Sequence, residues 1–171
     1  MMIRPEQPAD RDAIHDLTAA AFANPEHVVA LEAKLIDDLR ADAGYLPALS
    51  LVAIDGAENV IGHVMCTRAT VGERPVLGLG PLGVRPDRQN AGVGTALVHT
   101  VLGAADALGE PLIVLLGSPH YYRRFGFRPA ADYGIVPNQP WGEAFQVRTL
   151  SAYVDPTAGE FRYARPFELM D

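Results

Sequence analysis

The stretch "GLGPLGVRPDRQNAGVGTALV", residues 78–98, carries two glycine patterns, each of a kind that brings backbone close to a phosphate. Gly78, Gly80 and Gly83 spell G-x-G-x-x-G, and Gln89, Gly92 and Gly94 spell Q-x-x-G-x-G. The first pattern needs a helix opening at its glycines and an acidic residue at the end of the next strand, about 20 residues on. It fails on the helix. Pro81 lies inside the pattern and Pro86 just beyond it, and the residue before each proline is steered towards extended backbone. Asp106 stands at a suitable distance, but near the end of a helical periodicity. These glycines therefore read as an irregular or bulged strand.

The second pattern has a better context. Arg85-Pro86 ends the strand, "DRQNAG" forms a loop, and an apolar-periodic helix runs from about Gly92 to Leu108 with Val93, Leu97, Val101, Ala104 and Leu108 on one face. The start of a helix leaves its first N–H groups without intrahelical partners and carries the positive end of the dipole, so it attracts anions. No G-K-[ST] follows, which disfavours a P-loop.

Outward from this segment the texture is mixed. Residues 9–23 and the stretch "EHVVALEAKLIDDL", with Val28, Leu31, Leu35 and Leu39 in step, predict two helices divided at Asn24-Pro25. From Leu49 the runs "LSLVAI", "VIGHVMCTRATV" and "VLGLGPLGV", separated by "DGAEN" and "GERP", predict an antiparallel meander. "PLIVLLG" after the central helix is a buried strand, which completes a strand, helix, strand unit of crossover length. Later strand candidates lie in "EAFQVRTL" and "EFRYARPFEL". The expected class is α/β (α+β) with one central sheet, and the 171 residues suit one domain spanning 1–171.

Composition narrows the function. A net charge of −7 argues against a general nucleic-acid binder. The longest aliphatic run falls far short of the roughly 20 residues that span a bilayer, so no membrane role is expected. The lone Cys66 forms no internal disulfide, and the opening "MMIRPEQPAD" has no secretory character, so the chain reads as cytoplasmic. Cys66 reads as a small buried residue. His15, His27 and His99 form no metal-spaced cluster, and no metal is expected.

"HYYRRFGF" at 120–127 adds a second half to the constellation. Together with the strand, "QNAGVG", the helix and "LIVLLG", it resembles the GCN5-related N-acetyltransferase (GNAT) family, whose phosphate loop is [RQ]-x-x-G-x-[GA]. "VIGHV" resembles the family's third strand, and the likeness covers about residues 3–130. It implies a mixed, strongly twisted sheet with helices on both faces, and fourth and fifth strands, here about 75–84 and 111–117, that splay to admit the pantetheine arm of acetyl-CoA. By the same resemblance Leu82, Gly83 and Val84 lie along the pantetheine. Gln89, Asn90, Ala91, Gly92, Val93, Gly94 and Thr95 cradle the pyrophosphate, with Gln89 in place of the commoner Arg.

Tyr122, in Y-x-x-x-G-F, occupies the family's position for a hydrogen-bond donor or acid at the CoA sulfur. Tyr121 reads as a packed aromatic. Arg123 and Arg124 either reach the 3′-phosphate of CoA or are solvated. The base is open: the fourth strand holds no carboxylate or His, which leaves Glu73, Ser118, His120 or a water chain. His63 reads as structural. The implied activity is acetyl transfer from acetyl-CoA to a primary amine, small molecule or peptide, by direct attack in a ternary complex. The alternative is a non-catalytic acyl-CoA-binding module or regulator of the same fold. The acceptor is expected between the early helices and the C-terminal strands, where Trp141 and Phe145 either line a pocket or fill core. A homodimer through the C-terminal strands is compatible with this reading.

Overall fold

A computed structural model describes residues 1–26 and 31–170. In chain order it contains β1 (Met2–Pro5), α1 (Arg11–Ala21), α2 (Leu31–Ala41), β2 (Tyr45–Ile54), β3 (Val60–Val71) and β4 (Arg74–Val84). These are followed by α3 (Val93–Ala107), β5 (Leu112–Leu116), α4 (Pro119–Tyr122), β6 (Arg128–Pro129), β7 (Ile135–Val136), β8 (Phe145–Thr149), β9 (Gly159–Arg162) and α5 (Arg165–Glu168). The strands form one sheet in the order β1-β2-β3-β4-β5-β8-β6, and β9 pairs with the far end of β3 and with β7. Pairing is antiparallel except between β4 and β5 and between β7 and β9.

Side-chain alternation divides the core between the two faces of the sheet. Leu51, Ala53, Val64 and Cys66 pack with Val93, Leu97, Val98 and Val101 of α3, whereas Val52, Ile54 and Met65 pack with Ile14 of α1 and Leu35, Ile36 and Leu39 of α2. Gly62 sets how close α3 can come, since a Cβ there would lie 2.9 Å from both Leu97 and Val93. Leu97 is fully buried, and its replacement by Ala would cost about 2–5 kcal/mol.

A buried polar cluster fastens the face opposite α3. Glu6 accepts from Arg40 Nε at 2.7 Å and from the Tyr45 hydroxyl at 3.0 Å, and His63 Nε2 lies 2.9 Å from Ser50 Oγ and 3.3 Å from Glu6. Burial pushes the Glu6 carboxyl up, but hydrogen bonds from His63 and Arg40 outweigh it and hold the group well below the usual carboxylate range. Burial pushes His63 down, so its imidazole is neutral. His63 thus ties β3 to the β1–α1 connection, in keeping with a structural role.

Two features of β4 prepare the site. Its register on β3 passes from Val64↔Leu82 to Cys66↔Leu79, so β4 spends three residue steps where β3 spends two. That is a bulge at Gly80-Pro81, with Gly80 at φ +141. On its other edge β4 pairs with β5 only at Leu77↔Ile113 and Gly78↔Val114, after which the strands part. The G-x-G-x-x-G segment is therefore the irregular strand expected, and it runs along a gap in the sheet.

Some elements differ from expectation. β1 is an edge strand that the sequence pattern did not single out, and β2 begins at Tyr45 instead of Leu49. "EFRYARPFEL" is strand only to Arg162. Its remainder forms α5, where Pro166 in the first turn supplies a helical φ. Val28 and His27 lie outside the described residues.

Candidate functional site

The loop between β4 and α3 turns through two left-handed residues, Asn90 at φ +59 and Gly92 at φ +86. Asparagine tolerates this conformation and glycine adopts it freely. Gly92 is the N-cap of α3, and the first helical bond runs from Ala96 N–H to Gly92 O at 3.0 Å. The amides of Val93, Gly94 and Thr95 therefore precede the helical ladder. A Cβ on Gly92 would meet nothing within 4 Å, so the space beside it is open. Gln89 donates from Nε2 to Val84 O at 3.1 Å, closing the loop onto the end of β4.

These residues line a cavity of about 690 Å³ that is walled by Leu82, Val84, Gln89, Asn90, Gly92, Val93, Gly94 and Thr95 together with Arg88, Tyr121 and Arg124. Two guanidinium groups face it, one of them paired with carboxylates. Arg124 lies 4.6 Å above the Tyr121 ring, and Arg88 is held 3.1 Å from Asp55. Two residues of the expected set do not reach this wall. Ala91 is exposed on the loop, and Gly83 turns to α1, where a Cβ would lie 3.3 Å from Leu17. Arg123 also parts from Arg124: it lines a separate cavity with His120 and Phe127.

A second cavity of about 500 Å³ adjoins the first, sharing Phe22 and Leu82 with it. Its walls include Leu79, Gly80, Pro81 and Leu82 of the parted β4, Leu116 at the end of β5, and Tyr122. Trp141, Tyr163 and Phe167 supply further rings. Tyr122 reaches it because Gly117 has no side chain: a Cβ there would sit 2.4 Å from the Tyr122 ring. Gly126, at φ +85, then reverses the chain so that Phe127 returns to the core, 1% exposed and 5.7 Å from the Tyr122 ring centroid. The spacing Y-x-x-x-G-F thus seats a tyrosine against a gap in the sheet. Burial, with Tyr121 alongside, pushes the Tyr122 hydroxyl up to about 12, so at neutral pH it is a hydrogen-bond donor.

Tyr121 lies on the loop-cavity side of this pair. Its hydroxyl is 3.0 Å from where a Gly94 Cβ would be, and its ring meets Tyr122 edge-on at 4.9 Å, so it packs and lines the loop cavity at once. Trp141 lines the second cavity, whereas Phe145 is core, 3% exposed. Cys66 is fully buried, and burial pushes its thiol far up, which leaves it inert.

The base candidates are not brought together. Glu73 is exposed in the turn between β3 and β4, at the opposite end of β4 from Leu82. Distance along the strand overturns it as a group that touches the cleft. Ser118 is exposed at the N-cap of α4, and His120 belongs to the separate cavity. The carboxylates on the second cavity are instead Glu32 of α2 and Glu168 of α5. Neither stood out in the sequence, nor did Phe22, Arg88, Gln139 or Tyr163. Arg88 sits inside the loop itself, while the others come from separate elements of the chain, and no local spacing announces them. Among the described residues no group of three or more His, Cys, Asp or Glu is placed to hold a metal ion.

Comparison with known proteins gives a consistent picture. Residues 2–130 match the acetyltransferase (GNAT) domain family. The uncharacterised N-acetyltransferase YhbS of Escherichia coli K12 is 36% identical over 154 residues, covering 88% of each chain. The uncharacterised N-acetyltransferase YjhQ of the same organism is 34% identical over 170 residues, covering 94% of this chain and 90% of its own. Crystal structures agree in fold. E. coli YhbS in complex with CoA superposes with a TM-score of 0.87 at 32% identity, over 98% of this chain and 91% of that one. A GNAT acetyltransferase from Brucella melitensis in complex with acetyl-CoA gives 0.80 at 32% identity, over 97% of both.

Proposed function

Because the chain belongs to the GNAT family of acetyltransferases, we propose that it transfers an acetyl group from acetyl-CoA to a primary amine, both bound together in one ternary complex. The observation that carries this reading is that the two cavities adjoin at Phe22 and Leu82, along the gap between β4 and β5, with Tyr122 on the wall of one of them. The residues present fit the cofactor. Open space at Gly92, free amides at Val93, Gly94 and Thr95, and two guanidinium groups suit a pyrophosphate. Leu79–Val84, without a strand partner on the β5 side, suits the pantetheine arm. Bound acetyl-CoA supplies an activated thioester.

The protein's part is to bind, align and manage protons. Phe22 and Leu82, common to both cavities, make the junction apolar, and Trp141 walls the acceptor side, so that the amine nitrogen is brought within reach of the carbonyl carbon. As the new N–C bond forms and the C–S bond breaks, the Tyr122 hydroxyl donates to the departing sulfur, which otherwise carries a full negative charge. A phenol held at about 12 is a poorer acid than a thiol of about 8.5, so donation of a hydrogen bond comes first and full proton transfer second. The amine must arrive neutral. Only about one alkyl amine in a thousand is neutral at pH 7, and with Glu73, Ser118 and His120 away from the cleft both the proton lost before attack and the one the nitrogen sheds on becoming an amide leave to water, while the sulfur departs as a thiolate hydrogen-bonded by Tyr122.

The test is release of free thiol from acetyl-CoA in the presence of a broad amine panel, with acetylated product identified by mass. Transfer to any amine supports the reading. A protein that binds CoA and acetylates none of them is the non-catalytic acyl-CoA module.

A further inference from the structure

The two cavities differ in the sign of their charged linings. Arg88 and Arg124 are the charged side chains of the loop cavity, and Glu32 and Glu168 are those of the aromatic cavity. No Lys, Arg or His lines the aromatic cavity among the described residues. Glu32 is half-buried on α2, and Glu168 is exposed on α5, 3.7 Å from Arg162. Glu32 and Glu168 are carried by α2 and α5, which pack against each other, while Tyr122, Leu116 and the β4 edge supply further lining. Trp141, Tyr163 and Phe167 surround the space with aromatic faces, which attract cations and accept alkyl chains.

A carboxylate that gripped the reacting ammonium would stabilise its charged form and raise its pKa, which slows attack. The carboxylates are better matched to a charge that does not react. We propose that the aromatic cavity takes an amine bearing a second cationic group, a diamine or an amine of equivalent charge pattern. Its neutral end meets the thioester beside Tyr122, and its cationic end is held by Glu32 and Glu168. This rests on the acetyl-transfer reading and adds the class of acceptor. No atoms beyond those of that transfer change hands: the acetyl moves to one nitrogen, and the other nitrogen keeps its proton and its charge.

Three amines of matched length test it: 1,5-diaminopentane, pentylamine and 5-aminopentanoate. The diamine is expected to exceed pentylamine in kcat/KM by about 10-fold, the worth of one charge-assisted contact, and to exceed the anionic amino acid by more. The double substitution Glu32→Gln with Glu168→Gln is expected to bring the diamine-to-pentylamine ratio close to one, with CoA affinity and melting temperature reporting that the fold is intact. Calorimetric titration of each amine into the CoA-loaded protein gives a readout independent of turnover, and the same preference is expected there. Equal kcat/KM and equal binding for diamine and pentylamine would overturn the proposal, as would a preference for 5-aminopentanoate. Absence of transfer to all three, with the diamine still bound most tightly, would count against acetyl transfer and support the charge assignment. Absence of transfer with equal binding would sink both.

Discussion

The loop cavity and the aromatic cavity share a wall yet are built in opposite ways. The loop cavity comes almost entirely from residues 82–95, where a strand end, two left-handed residues and a helix start follow one another, closed by Tyr121 and Arg124. The aromatic cavity gathers Phe22, Glu32, Leu116, Tyr122, Trp141, Tyr163 and Phe167 from segments scattered along the whole chain. The first is a backbone device, whose amides and open space depend on φ angles more than on side chains. The second is a side-chain device, assembled only when the fold closes. A binder of the phosphates common to all acyl-CoA molecules needs only the first. Choice among acceptors needs the second.

If the two are functionally distinct, substitutions should separate cofactor binding from acceptor binding. The largest effect is expected at Gly92. A valine there must adopt φ near +86 at a cost of about 1–2 kcal/mol and places its side chain in the cradle. CoA affinity measured by calorimetry should fall about 100-fold, since the anion site is both strained and filled. On the acceptor side, Trp141→Ala removes a ring from the aromatic wall and should raise the KM of the preferred amine about 10-fold with CoA affinity unchanged. A parallel loss of CoA affinity in that variant would break the distinction.

Smaller effects sharpen it. Arg124→Ala should weaken CoA by about 5-fold at low salt and by less at high salt, because the guanidinium sits at the open mouth of the loop cavity. Arg123→Ala serves as its control and should change little, because that side chain lies on another cavity. The smallest effect is a limb that should be missing from the pH profile. The rate should climb from pH 7 as the amine loses its proton, and burial holds the Tyr122 hydroxyl at about 12. No decline assignable to an ordinary phenol should therefore appear between about pH 9 and 10.5.

The same contrast explains what could be read in the sequence. The limits of α3, expected at Gly92 and Leu108 and found as Gly92 cap and Leu108 cap, follow from apolar periodicity and a glycine that admits positive φ. The parting of β4 and β5 was legible through family resemblance, and its physical signature is there: Pro81 supplies no N–H, and the bulge sits beside it. Tyr122 was singled out through the family resemblance in Y-x-x-x-G-F, and the structure adds the local devices that seat it: Gly117 makes room for its ring and Gly126 turns the chain behind it. Glu73 misled because proximity to β4 in sequence is not proximity to its working end; Arg74–Gly78 of extended strand separate it from Leu79, where the cavity wall begins. Glu32, Tyr163 and Glu168 were illegible for a related reason. A half-buried glutamate on a short amphipathic helix looks like any solvated one until α5 folds back onto α2.

On the proposed reading Tyr122 acts on the departing sulfur from the wall of the aromatic cavity and contributes little to holding the cofactor. Tyr122→Phe keeps the ring over Gly117 and removes only the hydroxyl. In this variant kcat is expected to fall about 10- to 100-fold, the worth of a hydrogen bond to a charged group, while the calorimetric Kd for CoA stays within about 3-fold of the native value. An unchanged kcat, or a loss of CoA affinity as large as the loss of rate, would contradict this reading.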